Sequence, residues 1–200
     1  MEDKKVPWNH NYAYNNWISN KVGKRKKILD VGCGNGTLAM TLRTPENHIL
    51  GIDPSDSSIQ KANDQNPYDN VQFQQTTFEA FEANDEKFDA IVFVASIHHM
   101  DMQSAVAKAK KLLERNGILI IVGLANPSGF MDWVVELSRV IPSKILSMIR
   151  QNIDSEALDI DVSYYFPKME EVRRICHENL CGHTIRYGLH FRYLLTWENT

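Results

Sequence analysis

Hydrophobic and polar positions along this chain fall into blocks whose period changes repeatedly. Lys26 to Val31 is a short apolar run with a polar lead-in and reads as a strand, with a helix over Asn35 to Leu42 behind it. His48 to Ile52 is a second apolar run, closed by Asp53, and Pro54 to Asn66 follows as a helix ended by Asn66-Pro67. Val71 to Gln75 alternates apolar and polar, as a half-buried strand does. Phe88 to Ala95 is a near-continuous apolar run, the profile of a strand covered on both faces. A helix capped by Asp101 then carries its apolar positions at 102, 105, 106, 109, 112 and 113 as one stripe. Asn116-Gly117 is expected to stop it before a buried strand over Ile118 to Gly123. Near the end, Pro167 to Asn179 reads as a helix, and Thr184–Tyr187 and His190–Trp197 flank Gly188 as an antiparallel pair.

Regular alternation of strand and helix up to residue 125 implies an α/β fold, doubly wound, with a mostly parallel sheet and helices on both faces. Residues 126 to 163 break the rhythm. Phe130, Trp133, Val134, Leu137, Val140 and Ile141 share one helical face, Pro142 interrupts it, and the acidic stretch Asp154 to Asp161 follows. The expectation is a helical insert after the fifth strand that covers a substrate site or makes a dimer contact. Residues 1 to 22 hold His10, Tyr14 and Trp17 among many aromatic and amide side chains, and read as a lid or a packed amphipathic segment.

The chain has 200 residues, enough for a single domain over 1–200, and its formal net charge of −3 argues against nucleic acid and anionic membranes as partners. Met1 to Lys5 lacks the apolar core of a signal peptide, and no apolar run reaches membrane-spanning length. Three cysteines, Cys33, Cys176 and Cys181, without paired spacing argue against a disulfide framework or a zinc site and for a reducing, cytoplasmic setting. No metal-ligand cluster is evident, so the metal expectation is none.

Candidate chemistry concentrates in Asp30-Val31-Gly32-Cys33-Gly34-Asn35-Gly36. Three glycines between a strand and a helix free backbone N–H groups and the helix end for a ligand. Asp53, about 20 positions on at the end of the second strand, is placed to accept the two hydroxyls of an adenosine ribose. The lesser alternative is that it caps the helix that opens with Pro54. A dinucleotide fingerprint would need Gly or Ala at position 37, and Thr37 stands there instead.

This segment resembles the first motif, (D/E)xGxGxG, of the class I S-adenosylmethionine-dependent methyltransferases, residue for residue. The resemblance is strong over 24 to 125 and architectural over 167 to 198, and the tail from Arg186 to Trp197 is similar to small, uncharacterised bacterial members. It implies a Rossmann-like seven-stranded sheet whose last strand is antiparallel. It also implies S-adenosylmethionine as methyl donor, with S-adenosylhomocysteine as product, held by Asp30, Gly32, Cys33, Gly34, Gly36, Asp53, Pro54, Thr77, Phe78, Ala95 and Ser96. Where the family has an Asp for the adenine amino group, this chain has Thr76-Thr77-Phe78. The expectation is that Thr77 or the backbone of Phe78 serves instead, with the Phe78 ring near the base. Residues after the fourth strand lie beside the transferred methyl in that architecture, which makes His99 and His98 candidate bases. His10, Tyr14 and Trp133 are candidates for a small, partly apolar substrate, with O-, N- and C-methylation all open. The other expectations are a monomer or homodimer and, as the alternative function, a non-catalytic cofactor-binding sensor.

Overall fold

A computed structural model describes residues 12–126, 166–188 and 192–200. His10, Trp133 and nearly all of the 126 to 163 insert lie outside the described residues. A short 3-10 turn, Tyr12–Tyr14, leads into helix α1 (Asn15–Val22). Then come β1 (Lys27–Val31), α2 (Thr37–Leu42), β2 (His48–Asp53), α3 (Asp56–Gln65), β3 (Val71–Gln75) and β4 (Phe88–Val94). A 3-10 turn at Ile97–His99 precedes α4 (Met102–Leu112) and β5 (Leu113–Leu124). Helix α5 (Met169–Asn179), β6 (Thr184–Tyr187) and β7 (Arg192–Glu198) close the chain.

The strands form a seven-stranded sheet in the order β3-β2-β1-β4-β5-β7-β6. Strands β1 to β5 pair in parallel, and β7 runs antiparallel to both of its neighbours. Because side chains alternate across a strand, the three central strands feed two cores. Leu29, Ile91, Phe93, Leu119 and Ile121 face one side, under Val106 and Ala109 of α4 and Val172 and Ile175 of α5. Ile28, Ala90, Val92, Ile118 and Ile120 face the other, with Ile18 and Val22 of α1 and Ala39 and Leu42 of α2. Helices on both faces of an open parallel sheet are the doubly wound arrangement that the alternation implied.

Among the boundaries that differ from the pattern, two have a cause in view. The fifth strand begins at Leu113, not Ile118, and α4 ends one residue before it. Leu113 is buried and already pairs with Phe88, so the stop comes before Asn116-Gly117, which instead forms an irregularity inside the strand with Asn116 at φ 65°. The Asn199 side-chain amide donates to the carbonyls of Leu113 and Glu114, satisfying the strand's irregular start. The other shift is at α3, whose cap is Ser55, accepting from the Ser58 amide, and not Asp53. That leaves the Asp53 carboxylate for other work.

Candidate methyl-donor and acceptor site

The carboxyl ends of β1 and β2 meet at the glycine loop. Gly32, Gly34 and Gly36 have φ values of 74°, 53° and 76°, in the left-handed region that L side chains avoid. The loop is tied back to the sheet, since the amides of Gly32 and Cys33 both donate to the Ile52 carbonyl, at 2.8 and 3.0 Å. Each glycine is needed for a different reason. A Cβ on Gly32 would fall 2.4 Å from Cβ of Ser96, and one on Gly36 would fall 2.3 Å from the Phe73 ring. A Cβ on Gly34 would meet nothing within 4 Å. Gly34 therefore faces open space, where a ligand can approach the backbone.

Two carboxylates stand close to this loop, at the ends of β1 and β2. Asp53 accepts from the Gly34 amide through Oδ2 and from the Ser55 amide through Oδ1, each at 2.9 Å. Asp30, near the end of β1, is 1% exposed. Burial, and then the charge of Asp53, push its carboxyl up to about 7, while a hydrogen bond from the Ala39 amide pulls it down. Its Oδ2 is buried without a hydrogen-bond partner. A buried oxygen left unpaired in an electronegative corner suits a ligand that brings a positive charge or a donor group. The Cys33 thiol beside it is 8% exposed, and burial followed by the two carboxylates drives its pKa far upward, so it is a filler and no nucleophile.

The Thr76-Thr77-Phe78 turn follows β3 directly. The Phe78 ring is buried and stands edge-on to Phe93, with centroids 5.2 Å apart, so it packs in the core. The Thr77 hydroxyl accepts from the Ala80 amide, and the Thr76 amide donates to the Asp53 carbonyl. The Thr76 hydroxyl donates to the Thr77 carbonyl. Pro54 follows Asp53 directly, and its carbonyl accepts from the Gln75 side chain.

The third border is the turn after β4. Ala95 adopts φ 53°, a strained value for a residue with a Cβ. Its amide bonds to the Val122 carbonyl, and the Ser96 hydroxyl donates to the Val31 carbonyl at 2.6 Å, so the turn is fixed to both flanking strands. Ile97 is buried beneath, and His98 and His99 follow with rings 4.0 Å apart. His99 is exposed, whereas His98 is half-buried, lies 5.2 Å from the Phe166 ring and has a buried Nδ1 with no partner. Burial, then the neighbouring His99 and Arg192, lower its pKa to about 4. His98 is thus a neutral imidazole at pH 7.

Arg192 did not stand out in the sequence. Register places it opposite Leu124, at the carboxyl edge of the parallel strands, because β7 runs against them. Tyr14 is 7% exposed on the same side, and a Cβ on Gly188 would fall 2.7 Å from its hydroxyl and 3.2 Å from Cβ of Arg192. The fold thus brings Tyr14, His98, His99 and Arg192 to one edge, next to the glycine loop. The signal that could have found Arg192 is its position at the start of the one antiparallel strand. Among the described residues no group of three or more His, Cys, Asp or Glu could hold a metal, and no helix is long and apolar enough to cross a membrane.

Comparison with known proteins agrees with this geometry. A family model described as a methyltransferase domain matches residues 23–175. A ubiquinone biosynthesis O-methyltransferase of Pasteurella multocida is 35% identical over 107 residues, covering 47% of this chain, and the chain spans only 44% of that protein. The uncharacterized methyltransferase Rv0089 of Mycobacterium tuberculosis is 25% identical over 195 residues, covering 96% of this chain and 97% of its own. Among solved structures, the N-methyltransferase NodS of Bradyrhizobium japonicum in complex with S-adenosyl-L-homocysteine superposes with a TM-score of 0.64 at 16% identity, covering 100% of this chain and 93% of its own. A glycine loop with an acid closing the second strand, on this sheet order, is the arrangement seen in nucleoside-binding α/β folds. The chain belongs to the methyltransferase-domain family, the class I enzymes that use S-adenosylmethionine.

Proposed function

We propose that this protein methylates a small, partly apolar acceptor at the edge formed by Tyr14, His98, His99 and Arg192, with S-adenosylmethionine in the glycine-loop cradle. The open space at Gly34, beside the Asp53 carboxylate that holds the Gly34 amide, is the observation that carries it. Asp53 would take the ribose hydroxyls while still bonded to the loop. The backbone of Gly32, Cys33, Gly34 and Gly36 would line the donor, and Asp30 would offer its free oxygen to the donor's cationic end. Pro54, Thr77 and the Phe78 backbone would border the base, with Ala95 and Ser96 on the opposite wall. When bound, the donor supplies an electrophilic methyl on a positively charged sulfur.

What the chain itself contributes is placement. Fixing the acceptor in line with that methyl removes an entropic barrier of several kcal/mol. The Ala95-to-His99 turn, tied to Val31 and Val122, gives a rigid wall for that alignment. His99, exposed to solvent, is the candidate to carry a proton away, and His98 the candidate to orient the acceptor through its neutral ring. The charge of −3 gives no reason to expect nucleic acid, and the unpaired cysteines fit a reducing cytoplasm.

Calorimetry with S-adenosylhomocysteine and, separately, NAD tests the donor. Micromolar binding of the first and none of the second is expected, and the reverse would end this reading. Transfer of labelled methyl from S-adenosylmethionine into small molecules of a cell extract then tests the activity, with label in nucleic acid as the result that would overturn a small-molecule acceptor.

A further inference from the structure

The electrostatics on the acceptor side differ from those on the donor side. The glycine loop has two carboxylates close to it, Asp53 bonded to the Gly34 amide and Asp30 buried at the end of β1. The turn beyond it is bordered by a guanidinium and two imidazoles. Three separate segments bring these groups together: the amino-terminal turn carries Tyr14, the turn after β4 carries His98 and His99, and the start of β7 carries Arg192. The last two are locked to the same strand, through the Ala95 amide on Val122 and the pairing of Arg192 with Leu124. Gly188 donates its amide to the Arg192 carbonyl at 2.7 Å and leaves room for the Tyr14 hydroxyl, which bears on the Arg192 charge. Among the described residues the charged groups acting on His98 are His99 and Arg192, both cationic or able to become so. Asp101, the nearest acid in sequence, is exposed and occupied in capping α4 through the Ser104 amide.

We propose that the methyl acceptor is an acidic oxygen, a carboxylate or a phenolate, bound as its anion against Arg192 and His98 with its apolar body toward Phe166. This deepens the methyltransferase reading and rests on it. The argument is one of charge during transfer. The acceptor oxygen, already ionised, forms a bond to the methyl carbon as the carbon–sulfur bond breaks and sulfur keeps that electron pair. An anion and a sulfonium become a neutral ether or ester and a neutral thioether. The proton leaves before transfer, by way of the exposed His99 or directly to solvent, because a half-buried imidazole as weakly basic as His98 is a poor acceptor for a phenol or alcohol proton. An amine acceptor would end as a methylated ammonium, placing new positive charge against Arg192 and His99. A guanidinium fork suits a carboxylate or phenolate oxygen, and the neutral, half-buried ring of His98 has one N–H to donate beside it.

The test uses the full chain saturated with S-adenosylhomocysteine, whose own binding, measured first, reports on the donor reading separately. Benzoate, 4-nitrophenolate and benzylammonium, similar in size, are then titrated by calorimetry at pH 7.5. One or both anions should bind at least tenfold more tightly than the ammonium, and which of the two does so separates carboxylate from phenolate. Arg192→Gln should lose that preference at least tenfold, with Arg192→Lys recovering part of it, each variant checked by near-ultraviolet circular dichroism. If the variants do not fold, the wild-type comparison decides alone. Equal or tighter binding of benzylammonium, no binding of either anion, or anion binding unchanged in a folded Arg192→Gln would overturn the proposal.

Discussion

The carboxylate of Asp53 holds the amide of Gly34 at 2.9 Å, joining the end of β2 to the middle of the glycine loop across 19 residues of sequence. Its other oxygen holds the Ser55 amide. One side chain therefore sets the shape of the cradle and also presents its charge to whatever enters. Asp53→Ala removes both bonds. It should cost at least tenfold in affinity for S-adenosylhomocysteine, about 1.4 kcal/mol, and on the order of 1–3 kcal/mol of stability from two unsatisfied amides. Calorimetry and thermal melting read the two effects separately, and wild-type affinity in the variant would mean that Asp53 serves the loop alone.

How much of this was legible beforehand depends on how local the signal is. The strand-and-helix alternation, the loop at Gly32 to Gly36 and the acid at Asp53 were all readable, because each is set by neighbours in sequence. The fate of Phe78 was not. Whether an aromatic ring turns into the core or toward a ligand depends on Phe93, a strand away. The early start of β5 depends on Asn199 at the far end of the chain, which the helical stripe through 113 could not reveal. Arg192 escaped although an antiparallel last strand was expected, because only the register of β7 on β5, Arg192 opposite Leu124, brings it to the edge where His98 sits.

Asp30 should make the ligand-free protein less stable as pH rises. Its native carboxyl titrates near 7 against an ordinary 3.8, so between those values the native state binds more protons than the unfolded chain. Stability from this group is complete below about pH 4 and is lost as pH climbs through 7. Asp30→Asn removes the titration and leaves an oxygen for the Ala39 amide. Its melting temperature should therefore vary less than the wild type's from pH 5 to 8 and exceed it at pH 8, the full shift corresponding to no more than roughly 4 kcal/mol. A variant that melts lower than wild type at every pH would contradict this.

His98 acts in the opposite sense. Its native pKa is depressed from 6.5 to about 4, so the unfolded chain binds the extra proton first as the solution turns acid. The stability it confers is complete above about pH 6.5 and is lost as pH falls toward 4. His98→Gln should flatten that acid limb, while Asp30→Asn should leave it in place. Histidine proton chemical shifts followed by NMR give the direct check, and a His98 midpoint near 6.5 in the folded protein would remove the basis for a neutral ring at this turn.

The last contrast is between two glycines two residues apart. Gly34→Ala and Gly36→Ala both put a side chain on a left-handed residue, at a backbone cost of roughly 1–2 kcal/mol. Only at Gly36 does the new methyl also meet protein, falling 2.3 Å from the Phe73 ring and 3.1 Å from Cβ of Ala62. Overpacking there adds roughly 1–3 kcal/mol, so Gly36→Ala should melt well below Gly34→Ala, by several degrees for a chain of this size. Affinity should order the other way relative to stability. At Gly34 the methyl enters the open space that the donor needs, so Gly34→Ala should lose at least tenfold in S-adenosylhomocysteine binding while remaining folded. Melting curves and calorimetry on the pair decide it. If the loss of binding at Gly34 is no greater than its small loss of stability explains, the donor does not approach the backbone at that residue.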